Sequence, residues 1–336
     1  MSTNQRASDF DVTGTVQVSC PNSVCAAIRD IYAQLYPGQS FDTLAQAFEY
    51  FRQLFVGEAP GYRGCDTVYH DMQHTLDMTL AIARLIGGYE KAHGPDEQLG
   101  FENATLGVVT ALFHDSGYIL RDDDDQSING AEYTSIHITR GVEILSNFLP
   151  TIGLAHLVAP ASEIIHFTGY EKPADEIKTD DPRQRVVGQL LGTADLMAQM
   201  ADRCYLEKCR DRLYSEFVLG GVAVHLDGEG DTKVAYESGL DLLKKTPEFF
   251  KRISTERLDG TFEGVHRYFT DWFGGKDPYH AMLQQNLQFL AKILENGDWS
   301  VLKRRPPVFT TGGESQLEDT QSMVQLRLKD IQSPVD

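Results

Sequence analysis

A chain of 336 residues is long enough to bury a substantial core, as one large domain or two small ones. Hydrophobic content of 41% beside 24% charged residues is that of an ordinary globular protein. A net charge of −19 argues against nucleic acid and against an anionic membrane surface as partners, yet leaves an anionic substrate open, because a bound divalent cation reverses the field locally.

In chain order, residues 1–20 are polar and mixed and read as a loosely ordered N-terminal arm. Helical spacing follows at 22–36 and 41–56. In the second stretch Phe41, Leu44, Phe48, Phe51 and Phe55 recur at three- and four-residue steps, with Ser40 placed to cap. That stripe is core rather than a stacking platform. After the turn-rich GEAPGYRG, a helix is predicted from about Asp66 to Arg84 in DTVYHDMQHTLDMTLAIARLI, with Gly87-Gly88 as its stop. It puts His70 and His74 four apart on one face. An apolar helix, ATLGVVTALFHDSGY, then delivers His114 and Asp115 at its C-terminal end, before Gly117.

The loop RDDDDQSING is acidic but lacks calcium-loop spacing and reads as solvated. A helix from about Ala131 to Phe148 carries His137, and a shorter one brings His166 to its end before Gly169. A charged loop, EKPADEIKTDDPRQ, precedes a long helix capped by Asp181 with Pro182 at its first position. That helix is predicted to run to Gly220-Gly221 with a bend at Gly192. Inside it Asp195 stands among Leu191, Leu196, Met197 and Met200, a costly place for a carboxylate unless something cationic holds it. A polar patch, HLDGEGDTK, leads to helical segments near 234–257, 261–273 and 277–296. No continuous strand pattern appears after residue 20, and 301–336 reads as a loosely packed polar tail. The fold class is all-α, with one main domain over 21–300. The five cysteines are scattered without a CxxC pair and read as reduced thiols. With no apolar leader and no stretch of membrane-span length, a cytoplasmic protein without a membrane partner is expected.

Transition metals take imidazole and carboxylate in small sets held by secondary structure. His74, His114, Asp115 and Asp195 would fill four positions around one ion. His137 and His166, with Asp115 bridging, would hold a second.

The order His, His-Asp, Asp resembles that of the HD-domain metal-dependent phosphohydrolases. DTVYHDMQHTLDM is similar to the YHNxxHAxDV stretch of class I cyclic-nucleotide phosphodiesterases, and TALFHDSGY to their HD helix. GTADLMAQMADRCYLEK is similar to the last-aspartate helix of bacterial HD phosphohydrolases. The resemblance covers about residues 60 to 210. It implies an HD-type helical bundle around a mononuclear or binuclear site of Mn, Fe, Zn, Ni or Mg. It further implies hydrolysis of a phosphoester, a nucleotide or cyclic nucleotide foremost, by metal-activated hydroxide. His70 matches the histidine that protonates the leaving oxygen. His137 and His166 match the extra histidines of binuclear members. Three features depart from the pattern: Asp71 stands where the phosphodiesterases have Asn, Ser116-Gly117-Tyr118 follows Asp115, and no segment matches their purine-binding Gln and stacking Phe.

Lys172, Arg121 and Arg183 fall in loops beside the expected site and could meet a phosphate. Tyr69, Tyr118 and Tyr170 could line its pocket. Two other classes stand beside the hydrolase: a di-iron oxygenase using the same six ligands, and a non-catalytic binding or signalling module.

Overall fold

The computed structural model describes residues 7–228 and 231–332. Among them the architecture is an all-α bundle. α1 (Pro21–Leu35) and α2 (Asp42–Val56) open it, and the α2 stripe is core: Leu44, Phe48, Phe51 and Phe55 are buried. α3 (Met72–Ala92) is the central element, buried along most of its length and packed against α1 and α4 (Gly100–Phe113). α5 (His137–Phe148), α6 (Val158–Ile164) and α7 (Pro182–Ala201) follow, α7 lying against both α3 and α4. Asp181 caps α7 as its sequence predicts, accepting a bond from the Arg183 amide at 2.8 Å.

Past α7 the chain turns through α8 (Tyr205–Lys208), a π-turn over Cys209–Leu213 and α9 (Tyr214–Leu219). A short antiparallel hairpin, β1 (Val224–Leu226) with β2 (Thr232–Val234), comes next, followed by α10 (Gly239–Ile253). α11 (Tyr268–Trp272) packs on α3, α12 (Pro278–Asn296) on α7, and α13 (Ser315–Gln332) on α9.

Several sequence expectations are corrected here. α3 begins six residues later than predicted, because Asp71 caps it: its carboxylate accepts from the His74 amide at 3.1 Å. His70 therefore lies in the turn before the helix. Gly87-Gly88 does not stop α3. A Cβ at Gly88 would sit 1.8 Å from the Tyr268 carbonyl, so the pair serves close approach of α11. Gly117 plays the same part, since a Cβ there would lie 1.7 Å from the His137 carbonyl. The helix predicted from Ala131 is a short 3₁₀ turn at Gly130–Tyr133 followed by α5, with His137 its first residue.

The long helix does not bend at Gly192, which packs against Phe167 and Phe262. It breaks at Asp202, whose ψ of 131° leaves the helical region and whose carboxylate bonds the Cys204 amide at 2.7 Å. The hairpin overturns the absence of strands; three-residue strands around Gly and Asp give no readable alternation.

Neither end is loose where it is described; residues 1–6 and 333–336 lie outside the described residues. Asp11 is buried and accepts from Arg84 at 2.6 Å, and Arg84 also reaches the Tyr279 hydroxyl at 2.8 Å. Burial raises the Asp11 carboxyl, but Arg84 and its backbone donors outweigh that and hold it low. At the other end residues 306–311 form a strap. Arg212 donates to the Pro306 and Pro307 carbonyls, the Phe309 amide to Asp71 at 3.3 Å, and the Thr311 amide to the Cys65 carbonyl at 2.9 Å. In the acidic loop Asp122, Asp123 and Asp125 are exposed, while Asp124 accepts from Arg140 at 2.7 Å and Asn129 is buried. Despite burial, that pairing pulls the Asp124 carboxyl down to about 2. No helix among the described residues is long and apolar enough to cross a membrane.

Candidate metal centre and its cavity

Three helices aim their ends or faces at one point. His74 lies in the first turn of α3, where the Asp71 cap fixes the backbone. His114 is the residue after α4, and Asp115 follows it where the chain leaves the helix, so both side chains reach the same side. Asp195 comes from the middle of α7. The ligand atoms of His74, His114 and Asp115 lie within 4.8 Å of one another, all buried. His74 Nε2 is 3.3 Å from both Asp115 Oδ2 and Asp195 Oδ1. His114 Nε2 is 3.0 Å from Asp115 Oδ2 and 3.9 Å from Asp195 Oδ1.

The hydrogen bonding of this cluster is incomplete. His114 Nδ1 donates to the Ala111 carbonyl at 2.8 Å, which fixes the tautomer and leaves Nε2 with a lone pair when the ring is neutral. That Nε2 and Asp115 Oδ2 are both buried without a hydrogen bond although they face one another. Two acceptors at that separation repel unless a cation lies between them. A divalent ion fits this donor set: imidazole and carboxylate, one histidine oriented by a backbone carbonyl. Burial and the carboxylates oppose one another at His74, and Asp115 and Asp195 win, pushing the imidazole up to about 10. At Asp115 burial is outweighed by His114 and His70, which hold the carboxyl well below the carboxylate range. Both shifts are those of a site that draws positive charge.

Of the two histidines expected at a second ion, His137 arrives and His166 does not. His137 donates from Nδ1 to the Thr134 carbonyl at 2.8 Å and turns Nε2 to Asp115 Oδ1 at 3.8 Å. Burial lowers its pKa, with Asp115 opposing. His166 does not line the cavity or join the converging group, and its Nδ1 is buried without a partner.

His70 reaches the same cavity from outside α3, through a partner absent from the sequence expectations. Its Nδ1 lies 2.5 Å from Glu216 Oε2. The other Glu216 oxygen accepts from the Tyr69 amide at 2.6 Å, so the buried carboxylate is held at both ends. Burial disfavours charge on His70, but Glu216 and Asp115 outweigh it and the pKa is raised. The Tyr118 ring stacks between His70 and His137, at 4.6 and 4.4 Å. Glu216 sits in SEFVLG, among apolar residues, the same signature that marks Asp195. Glu171 was missed too: its carboxylate accepts from the Ile138 and Thr139 amides and caps the start of α5 beside His137.

These groups open into a cavity of about 500 Å³. Tyr69, Tyr118 and Tyr170 line it as expected. Lys172, Arg121 and Arg183 do not: Lys172 pairs with Glu163 at 2.6 Å, Arg121 with Glu143, and Arg183 stands at the start of α7. The cations that line it are Lys245, Arg252 and Arg257, all C-terminal to the motifs. Lys245 is paired with Asp241 at 2.8 Å, and Arg257 donates to the Phe167 carbonyl at 2.6 Å. Arg252 has no ion pair among the described residues.

No protein-family model, curated protein or solved structure matches the chain.

Proposed function

We propose that the protein is a metal-dependent phosphoester hydrolase working in the cytoplasm on a small phosphorylated substrate, as the resemblance to HD phosphohydrolases implies. The observation that carries this reading is that Asp115, which faces the orphaned His114 Nε2, lines one cavity with His70, whose Nδ1 is held by the buried Glu216 carboxylate. His74, His114, Asp115 and Asp195 would hold a divalent ion, which would supply Lewis acidity and lower the pKa of a bound water. The histidine content of that set favours Mn, Fe, Zn or Ni over Mg, which prefers oxygen ligands.

The chain's own groups supply the rest. Glu216 raises the His70 pKa and so favours the protonated ring, which can give its proton to the oxygen that leaves, a role worth about 10²–10⁴ in rate. Stacking on Tyr118 and the bond to Glu216 fix the imidazole without further ordering during reaction. Arg252 adds positive charge for a phosphate in a chain that is otherwise acidic. The oxygenase alternative draws on a second ion held by His137 and His166, and its ligand set is one histidine short.

The test is metal content by mass spectrometry beside hydrolysis of bis-p-nitrophenyl phosphate, on the full chain and on Asp115→Ala. Bound transition metal with hydrolysis lost in a folded Asp115→Ala supports the reading. No metal after reconstitution with Mn²⁺, Fe²⁺ or Zn²⁺ overturns it and leaves a binding module.

A further inference from the structure

The cavity has a second half that the metal centre does not use. Besides His70 and Asp115 it is lined by Leu196, Leu213, Phe217, Tyr236, Leu242 and Phe249. Most of the polar groups beside them are engaged, and Arg252, which has no ion pair among the described residues, is the cation left for a phosphate. Thr246 donates to the Leu242 carbonyl at 3.0 Å, Gln199 bonds Asp195 and the Tyr69 hydroxyl, and Lys245 and Arg257 are held as described above. A site that reads a nucleobase needs free donors and acceptors at its edges, and a site whose polar groups point elsewhere selects by apolar area.

The rim repeats the pattern. Ile136, Tyr170, Val222, Leu226 and Val234 are exposed, and Tyr170 is 73% so. Of these, Tyr170 and Val222 line the cavity, and Ile136 stands between Ser135 and His137, which do. Single exposed apolar residues need no explanation, but a group of them around one mouth does.

We infer that this arm receives the alcohol portion of the substrate, and that the substrate class is a phosphate ester of an apolar alkyl or aryl alcohol rather than of a nucleoside. The inference rests on the hydrolase reading for its chemistry, though not for its binding. Water supplies the oxygen that bonds to phosphorus, and the phosphorus–oxygen bond to the alcohol breaks. The departing oxygen keeps the electron pair and takes the proton of His70, releasing the apolar alcohol; the water's protons pass to solvent and back to His70. At about 500 Å³ the cavity is of a size that encloses a drug-sized molecule, room for both phosphate and chain.

The test is calorimetric binding of methyl-, butyl-, hexyl- and octylphosphonate to the Mn²⁺-loaded full chain, beside hydrolysis of the matching alkyl phosphates and 5′-AMP. Affinity is expected to rise up to about fourfold for each methylene buried, until the arm is full. Phe217→Ala should flatten that rise. Val222→Ser, at an exposed position where folding is not at stake, should weaken octylphosphonate more than methylphosphonate. Affinity that does not grow with chain length, or 5′-AMP preferred over octyl phosphate, would overturn the inference. Steep phosphonate binding without hydrolysis of any ester would overturn the hydrolase reading alone and leave the apolar arm standing.

Discussion

Replacing Glu216 by Gln removes a charge and keeps a shape. Glu216 is 1% exposed and holds His70 Nδ1 at 2.5 Å, so the amide can still orient the ring while losing the charge that favours its protonated form. Burial already pulls the His70 pKa down, and without Glu216 only Asp115 among its main neighbours opposes that pull. The imidazole then falls toward its ordinary 6.5. At pH 7.5, about one unit higher, as few as roughly a tenth of the rings carry a proton. Hydrolysis of an ester with a poor leaving group should therefore drop by up to about tenfold at pH 7.5 and recover below pH 6. An ester whose phenolate leaves unprotonated should lose much less. The assay is a pH profile of kcat/KM from 5.5 to 9 for both esters. An equal loss for both at every pH, with no shift of the profile, would refute a role in protonation and reduce Glu216 to a structural support.

Gly88→Ala places a Cβ 1.8 Å from the Tyr268 carbonyl and should destabilise the fold by about 3 kcal/mol in urea unfolding, through displacement of α11. Arg84→Met leaves the buried Asp11 carboxylate unpaired and should cost about 3–5 kcal/mol by the same measurement. Burial raises the Asp66 carboxyl from 3.8 to about 7. Its folded form therefore holds a proton that the unfolded chain has lost, and folding is penalised increasingly from about pH 4 to pH 7. Asp66→Asn should relieve that penalty, stabilising the protein at pH 8 by up to about 4 kcal/mol relative to its effect at pH 4, read from denaturant melts at both pH values.

The parts of this molecule that could be read from residues alone are those set by local chemistry. Asp181-Pro182 starts α7, the α2 aromatic stripe is buried, and His74, His114, Asp115 and Asp195 converge in the expected order. Each follows from a cap, a period or a ligand type. What escaped depends on partners distant in sequence. His70 leaves α3 because Asp71 is a better cap than a helix interior residue, and its carboxylate is further occupied by the Phe309 amide. Gly87-Gly88 looks like a terminator until Trp272 and Tyr268 are known to lie against it. His166 has metal-ligand chemistry and sits in the turn after α6, near Lys172, Glu171 and Glu163, outside the converging group of His74, His114 and Asp115. The cations that line the cavity come from α10 and the turn after it, beyond the last recognisable motif, where spacing carries no signal.

The strap of residues 306–311 gives the molecule an order of assembly. Phe309 and Asp71 are separated by 238 positions, so at about 5–20 residues per second a ribosome needs roughly 12–50 s to make the second after the first. Through that interval the turn holding His70 lacks both the Phe309 amide on its cap and the carbonyls that anchor Arg212. Closing so long a loop is slow, and contacts of this separation form late in folding. The nascent chain therefore carries His70, His74, His114 and Asp115 well before residues 306–311 can brace the turn that holds His70, and a translation product that stops short of residue 306 would lack that brace altogether.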